Sequence, residues 1–272
     1  MSLKTLRDDI YRVLCDGTSV SKEQADGFGN VLSRIIQQRL GEARTAGRTL
    51  RLSNLGTKCR RKLWYDINRP ELGETLSPAT RLKFLFGDII EALVLFLARV
   101  SGHEVTDEQK ETVLHGVVGH IDAKVDGTVV DVKSSSSMSF KKFESGLTPD
   151  TDDFGYLTQL SSYIQAEDGK VGAFLAVDKQ HGHITIDEHT FTKEITPEYV
   201  EDIKATLAGG IPSRGFDPVP DGKSGNLKLG TNCSYCSFKK ECHPGLRTFI
   251  YAGGRPVFLT RVQFEPRVPE IT

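Results

Sequence analysis

The stretch VVGHIDAKVDGTVVDVK, from Val117 to Lys133, decides the fold. Two alternating runs, Val117–Val125 and Thr128–Lys133, flank Asp126-Gly127, and Asp-Gly between alternating runs is a strong short-range hairpin signal. With those two residues as the turn, Val125 pairs with Thr128, and counting back sets Asp122 opposite Asp131. Side chains alternate along a strand. Lys133 therefore shares the face of Asp131, while Ile121, Ala123, Val125, Val130 and Val132 point the other way, into a core. Directly opposed carboxylates repel, and the natural compensation is a hard divalent cation with oxygen ligands. The competing readings are a surface hairpin with two solvated aspartates, or a slipped register.

Upstream, Leu3, Leu6, Ile10 and Leu14 recur at helical spacing, as do Val31, Ile35 and Leu40, so residues 3–15 and 21–41 read as amphipathic helices. Thr80 to Val100 reads as a long helix with a broad apolar face. Glu91 interrupts it within Ile-Ile-Glu-Ala-Leu-Val, where an ionised carboxylate needs a partner or a metal; the alternative is that Glu91 faces water. Gly87, one turn earlier, leaves open space beside it. Downstream, a polar segment with a short helix runs to about Gly155. Tyr156 to Ala166 reads as a helix with Gln159 and Tyr163 four apart on one face. Val171–Val177 and Ile184–Phe191 read as strands. Thr196-Pro197-Glu198 opens a helix, and 211–230 reads as a long loop.

The 272 residues carry a net charge of -1, so nucleic-acid binding has to come from a local patch. The best one runs from Arg39 to Lys62, where Arg39, Arg44, Arg48, Arg51, Lys58, Arg60, Arg61 and Lys62 face one acid, Glu42; a solvated helix and loop carries such charge too. No apolar run reaches membrane-spanning length and the start lacks a secretory signal, so a cytoplasmic location is expected. Gly222-Lys223-Ser224 fails the phosphate-loop pattern, because Asp217 stands where a glycine is required; no nucleoside triphosphate is expected.

Five cysteines, an odd number, argue against a disulfide framework in a reducing compartment. Cys233, Cys236 and Cys242 form a compact Cys-x2-Cys-x5-Cys triplet that reads as metal ligation. Cys15 reads as a small buried hydrophobe.

The set Gly119-x-x-Asp122, Asp131-x-Lys133 and Gln159-x-x-x-Tyr163, with Glu91 before it, resembles the PD-(D/E)XK nuclease superfamily, most closely its RecB-like exonucleases of CRISPR-associated and viral type. Ser53-x5-Cys59-x-Arg61-x3-Tyr65 is similar to the motif that supplies the first cysteine of that family's iron–sulfur cluster, and Cys233, Cys236 and Cys242 match the other three. The resemblance covers about residues 51–245. It implies an α/β fold: a restriction-endonuclease-like central mixed β-sheet flanked by helices, with a helical second lobe clasped by the cluster. Three regions are expected, 1–50 helical, 51–210 the nuclease core and 211–272 the loop, cysteines and tail, with the N-terminal helices joining the cysteine clasp in the second lobe.

By the same resemblance Glu91, Asp122, Asp131 and the Val132 carbonyl would ligate Mg2+ or Mn2+. Glu91 stands where many relatives have a histidine. Lys133 would orient or deprotonate the attacking water, a role that a depressed pKa would favour, or stabilise charge. Gln159 and Tyr163 would position the DNA backbone and Lys133. Cys59, Cys233, Cys236 and Cys242 would hold a [4Fe–4S] cluster, with Zn2+ as the alternative. The activity the resemblance implies is a metal-dependent exonuclease on DNA ends, single-stranded or duplex with single strands favoured, serving recombination, repair or phage DNA processing, with a recombination protein as an expected partner. The alternatives are a non-catalytic iron–sulfur DNA-binding subunit and an endonuclease of the same superfamily. Trp64, Tyr65 and Phe140 are candidates for stacking on bases.

Overall fold

In the computed structural model the described residues are 2–41, 49–190 and 194–271. Glu42, Arg44 and Arg48 of the basic stretch, and Phe191 at the end of an expected strand, lie outside them. The chain divides into two compact units. The first comprises Leu50–Gly56 and Ser77–Val200 with the N-terminal helices; the second comprises Thr57–Leu76 and the chain from Glu201 onward. The N-terminal helices therefore belong with the expected nuclease core, not with the cysteines. The described basic residues divide as well, Arg39 and Arg51 falling in the first unit and Lys58 to Lys62 in the second.

In chain order the helices are α1 (Leu6–Asp16), α2 (Lys22–Gly41), α3 (Arg60–Asn68), α4 (Pro78–Val100), α5 (Ser137–Glu144), α6 (Tyr156–Ala166), α7 (Pro197–Ala208), α8 (Thr231–Ser234) and α9 (Lys239–Cys242). The strands are β1 (Val105–Thr106), β2 (Glu111–Leu114), β3 (Val117–His120), β4 (Ala123–Val125), β5 (Thr128–Ser135), β6 (Val171–Asp178), β7 (Ile184–Thr190), β8 (Val219–Pro220), β9 (Leu227–Lys228), β10 (Arg247–Tyr251), β11 (Arg255–Arg261) and β12 (Glu270–Ile271).

The first unit is built on a five-stranded sheet of order β1-β4-β5-β6-β7. Asp126 and Gly127 both have positive φ, +48° and +79°, as a type I′ turn requires, and Val125 pairs with Thr128 as expected. The regular ladder stops at Ala123 opposite Val130. The run Val117–Val125 is not one strand: it breaks at Ile121-Asp122, and β3 pairs instead with β2. β5 and β6 are parallel, joined by a crossover through α5 and α6, so the sheet is mixed.

Both faces of the sheet are covered, and β6 shows why. Its Ala173 and Leu175 join a core with Leu6 and Ile10 of α1 and Val94, Leu95 and Ala98 of α4. Phe174 and Ala176, on the alternate positions, join Phe140 and Phe143 of α5 and Leu157, Leu160 and Ile164 of α6. A strand buried on both faces reads as a continuous apolar run, as this one does. Phe140 is therefore core and cannot stack on a base.

The buried His103 ring ties α1 to the hairpin turn, with Nδ1 2.7 Å from Asp126 and Nε2 3.2 Å from Asp9. At the start of α6, Asp152 accepts from the backbone N–H groups of Phe154, Gly155, Tyr156 and Leu157. These are the donors a helix leaves unsatisfied at its N-terminus. Gly155 (φ +84°) lies so close to Gly56 that a Cβ there would fall 2.0 Å from the Gly56 carbonyl oxygen.

The second unit carries an antiparallel sheet of order β12-β10-β11-β9-β8, so the expected loop 211–230 contains two short strands, β8 and β9. Tyr65 and Phe238 stack at 5.1 Å in its interior. Tyr65 is buried, which removes it as a base-stacking residue. Cys15, in the first unit, is exposed rather than buried.

Asp152→Ala removes one acceptor from four N–H groups. It should lower the unfolding free energy by about 2 kcal/mol, read as a lower urea midpoint. The amides of residues 154–157 should exchange faster with solvent than those of β5. An unchanged midpoint would show that water replaces the carboxylate.

Candidate active site

Asp131 is buried on β5 at 1% exposure, on the sheet face covered by α6. Gln159 of α6 donates to its Oδ1 at 3.1 Å and also reaches the Tyr163 hydroxyl at 3.4 Å. Lys133, two residues along the same face, forms an ion pair with Asp131 Oδ2, an oxygen that has no hydrogen-bond partner of regular geometry. The Lys133 ammonium also lies 4.6 Å from the centre of the Tyr156 ring, a cation–π contact.

Asp122 sits just past the end of the β4–β5 ladder. Its Oδ2 accepts from the Val132 N–H at 2.7 Å, which anchors the carboxylate beside Asp131 although the two are not a ladder pair. Glu91, on α4, accepts from Gln109 Nε2 at 2.7 Å. Nothing stands within 4 Å of where a Gly87 side chain would begin, so the expected open space is there.

Proton affinities show how closely these groups crowd. Burial, then the charges on Asp131 and Glu91, push Asp122 well above the usual carboxylate range. Burial comes first for Glu91 as well. The Gln109 hydrogen bond opposes it, Asp131 and Asp88 add to it, and the group is pushed up to about 7. Tyr163 is raised to about 12, first by burial and then by Asp131. Lys133 departs from expectation. Burial alone would depress it, but the charges on Asp131 and Asp122 outweigh burial, and its pKa is raised. With no divalent ion to offset those two carboxylates, the ammonium form of Lys133 is favoured.

Gly119 completes the arrangement from the other side. A Cβ there would meet the Tyr163 ring at 2.8 Å and Leu52 Cβ at 2.7 Å, so only glycine lets β3 approach α6 this closely. Tyr156 and Gln109 were not singled out from the sequence. Tyr156 lies three residues before Gln159, one helical turn away, and that spacing could have pointed to it. Gln109 lies in a turn and carries no such signal.

Hard oxygen donors that repel one another, one of them a buried oxygen without a regular hydrogen bond, have the chemistry that suits a hard divalent ion. Among the described residues, however, no three His, Cys, Asp or Glu side chains stand ready arranged around one. Asp122 is turned to Val132, Glu91 to Gln109 and Asp131 to Lys133 and Gln159, so gripping one ion requires these side chains to turn from their present partners.

In the second unit, Cys59, Cys233, Cys236 and Cys242 line one small cavity of about 30 Å³ with Arg61 and His243. Cys59 caps α3, its sulfur accepting from Lys62 N–H at 3.4 Å. Burial, then the charges on Cys236, Cys59 and Cys242, push the Cys233 thiol up to about 11. Burial also raises Cys236. None of the five cysteines is in a disulfide. Arg61 Nε and His243 Nε2 are buried beside these thiols without partners.

The Glu91 shift fixes a sign for stability. The folded state holds a proton on Glu91 up to about pH 7, whereas the unfolded chain releases it near 4.5. Between those values the native state binds more protons, so this group lowers stability as pH rises. Glu91→Gln should therefore gain stability over wild type at pH 8 relative to pH 4 in paired urea titrations without added metal. A difference that does not vary with pH would show that Glu91 ionises normally.

No protein-family model and no curated protein matches this chain. Several solved structures are similar in backbone. The SSO0001 protein aligns at a TM-score of 0.45 and 18% identity over 79% of this chain and 94% of its own. The alkaline exonuclease LHK-Exo from Laribacter hongkongensis aligns at a TM-score of 0.32 and 17% identity, over 65% of this chain and 89% of its own. LHK-Exo in complex with dAMP aligns at a TM-score of 0.36 and 15% identity over the same shares.

Proposed function

We propose that this chain is a metal-dependent deoxyribonuclease of the PD-(D/E)XK type, an exonuclease that hydrolyses phosphodiester bonds from DNA ends. The observation that carries the proposal is the placing of the acids: Asp122 held by the Val132 N–H beside Asp131, Asp131 held by Lys133 and Gln159, and Glu91 lining the same cavity as Asp122. Asp122, Asp131, Glu91 and the Val132 carbonyl would hold Mg2+ or Mn2+. When bound, such an ion supplies Lewis acidity at a phosphoryl oxygen and a more acidic water.

The chain's own groups have separable tasks. Lys133, kept cationic by two aspartates, places positive charge where a phosphate gains negative charge in the transition state. Its stack over Tyr156 fixes the ammonium direction. Gln159 clamps Asp131 and the Tyr163 hydroxyl together, so α6 sets the orientation of the central carboxylate. A buried and weakly acidic Tyr163 stays neutral at working pH and can donate to a phosphate oxygen.

Cys59, Cys233, Cys236 and Cys242 would hold a [4Fe–4S] cluster in a structural role, with Zn2+ as the competing occupant. The thiols suit either, and a bound cation would relieve the repulsion that raises Cys233. Cys236→Ser should lower the melting temperature of the metal-loaded protein by several degrees, with loss of brown colour if the centre is iron–sulfur. A fully stable, metal-free Cys236→Ser protein would exclude a structural metal.

The activity is tested on end-labelled linear DNA beside covalently closed circles with Mg2+ or Mn2+. Linear DNA should be degraded and circles spared. Asp131→Ala and Lys133→Ala should each lower the rate by at least about a hundredfold, roughly 2.7 kcal/mol, with circular dichroism unchanged. Equal cutting of circles would make the protein an endonuclease. No cutting with any divalent ion would leave a DNA-binding subunit.

A further inference from the structure

Two buried polar groups stand beside the four cysteines of the second unit. Arg61 and His243 line the cavity of Cys59, Cys233, Cys236 and Cys242, where Tyr65, Phe216 and Phe238 supply apolar wall. Arg61 Nε and His243 Nε2 are buried there without a hydrogen-bond partner. A guanidinium Nε always donates, and an imidazole Nε2 donates when it carries the ring proton. A donor that has given up water without gaining an acceptor opposes folding. Apolar side chains would fill the same positions without that cost. Two such donors at one cavity call for an acceptor that enters it.

The surroundings are rich in positive charge. Lys62 lines the same cavity, and its backbone N–H donates to Cys59 Sγ at 3.4 Å. Arg214 holds the Cys242 carbonyl through Nε at 3.0 Å and Nη2 at 2.6 Å. Lys239 reaches the Cys236 carbonyl at 3.3 Å. Asp66 and Glu74 offset Lys62 and Lys239 in part. Neutral thiols need no such company. Four thiolates around a doubly charged centre leave about two negative charges, whether the centre is a [4Fe–4S] core or a Zn2+ ion. That charge lies largely on sulfur, the acceptor that the two donors lack.

We propose that Arg61 and His243 donate hydrogen bonds to the sulfurs of the group that the four cysteines hold, and that these bonds keep the group in place. The proposal rests on the reading of the cysteines as ligands. Hydrogen bonds to the ligating atoms orient them, steady the centre and tune its electronics. The chain positions suit that task. Arg61 stands two residues after Cys59 at the start of α3, and His243 directly follows Cys242 at the end of α9. One donor therefore comes from each of the two distant segments that meet at the site, next to a ligand in both cases.

The test uses the full chain isolated without oxygen, with iron and zinc counted per chain. Release into excess chelator is followed by loss of visible absorbance for an iron–sulfur centre, or by transfer to a pyridylazo-resorcinol indicator for zinc. Arg61→Met and His243→Phe should each speed release about tenfold. His243→Gln keeps an N–H near the Nε2 position and should release within about twofold of wild type. Phenylalanine fills the space of the ring better than glutamine, so a packing role alone predicts the reverse order. An iron–sulfur centre gives a second reading, a dithionite titration followed by electron paramagnetic resonance. One electron from dithionite adds a negative charge that the donors favour. Arg61→Met should therefore shift that equilibrium about tenfold toward the oxidised form, a midpoint about 59 mV lower.

A His243→Phe chain that cannot be loaded at all, beside a His243→Gln chain that can, is the extreme form of the expected loss. Release unchanged in both Arg61→Met and His243→Phe would overturn the proposal, as would His243→Gln releasing as fast as His243→Phe. Failure of the underlying reading is distinguishable. A wild type that holds neither iron nor zinc after anaerobic reconstitution removes the centre itself and its donors with it. One that loads fully, with release indifferent to both substitutions, removes only the donors.

Discussion

The first unit is organised around a repulsion. Asp122, Asp131 and Glu91 come from a bend between two strands, a buried strand and a long helix, and each position places negative charge where water is scarce. Left alone, such a cluster would protonate or drive the elements apart. The type I′ turn at Asp126-Gly127 fixes the register, and the Val132 N–H then takes the Asp122 carboxylate. Lys133 and Gln159 hold Asp131 from the strand and from α6. Asp152 caps α6 and so keeps Gln159 in place. The rest of the unit, with a sheet buried on both faces, supplies the rigidity that keeps like charges close.

Much of this was legible in the sequence. The Asp-Gly turn, the alternation after it and the core set Ile121, Ala123, Val125, Val130 and Val132 follow from period-two patterning, and all five are buried. The grouping of Glu91, Gln159 and Tyr163 with the hairpin acids came only from the family resemblance, since each alone is an ordinary polar residue on a helix. The strand break at Ile121-Asp122 was not legible, because alternation continues through it while the chain changes partners from β5 to β2. Pairing is a choice between distant segments, and local pattern does not encode it. The direction of the Lys133 shift was not legible for a related reason: it depends on the balance between burial and two nearby aspartates, which spacing alone does not give.

Helix α4 shows how one element serves packing and chemistry together. Val94 and Ala98 are buried in the core, while the stripe that carries Glu91 and Phe96 lines the cavity shared with Asp122. Because 3.6 residues make a turn, a helix of this length keeps both faces over its whole run. Shifting the packing by one residue would rotate Glu91 by about 100° and remove it from Asp122. The apolar packing of α4 therefore fixes the position of the acid as firmly as any contact the acid makes itself.

The same signature appears in the second unit with different atoms. Burial and three neighbouring cysteines hold up the Cys233 thiol, and Arg61 Nε and His243 Nε2 lie buried without partners. In the first unit the like-charged groups are oxygens, and Asp131 Oδ2 is paired with Lys133 but has no hydrogen bond of regular geometry. Neither arrangement stabilises a fold, since crowding like groups and burying unsatisfied polar atoms both oppose it. Apolar residues of similar volume would pack either place better. Sequences that break local rules in this way do so at sites of function. The chain does this twice, in two units and with donor sets of opposite hardness, carboxylate oxygens in one and thiol sulfurs in the other.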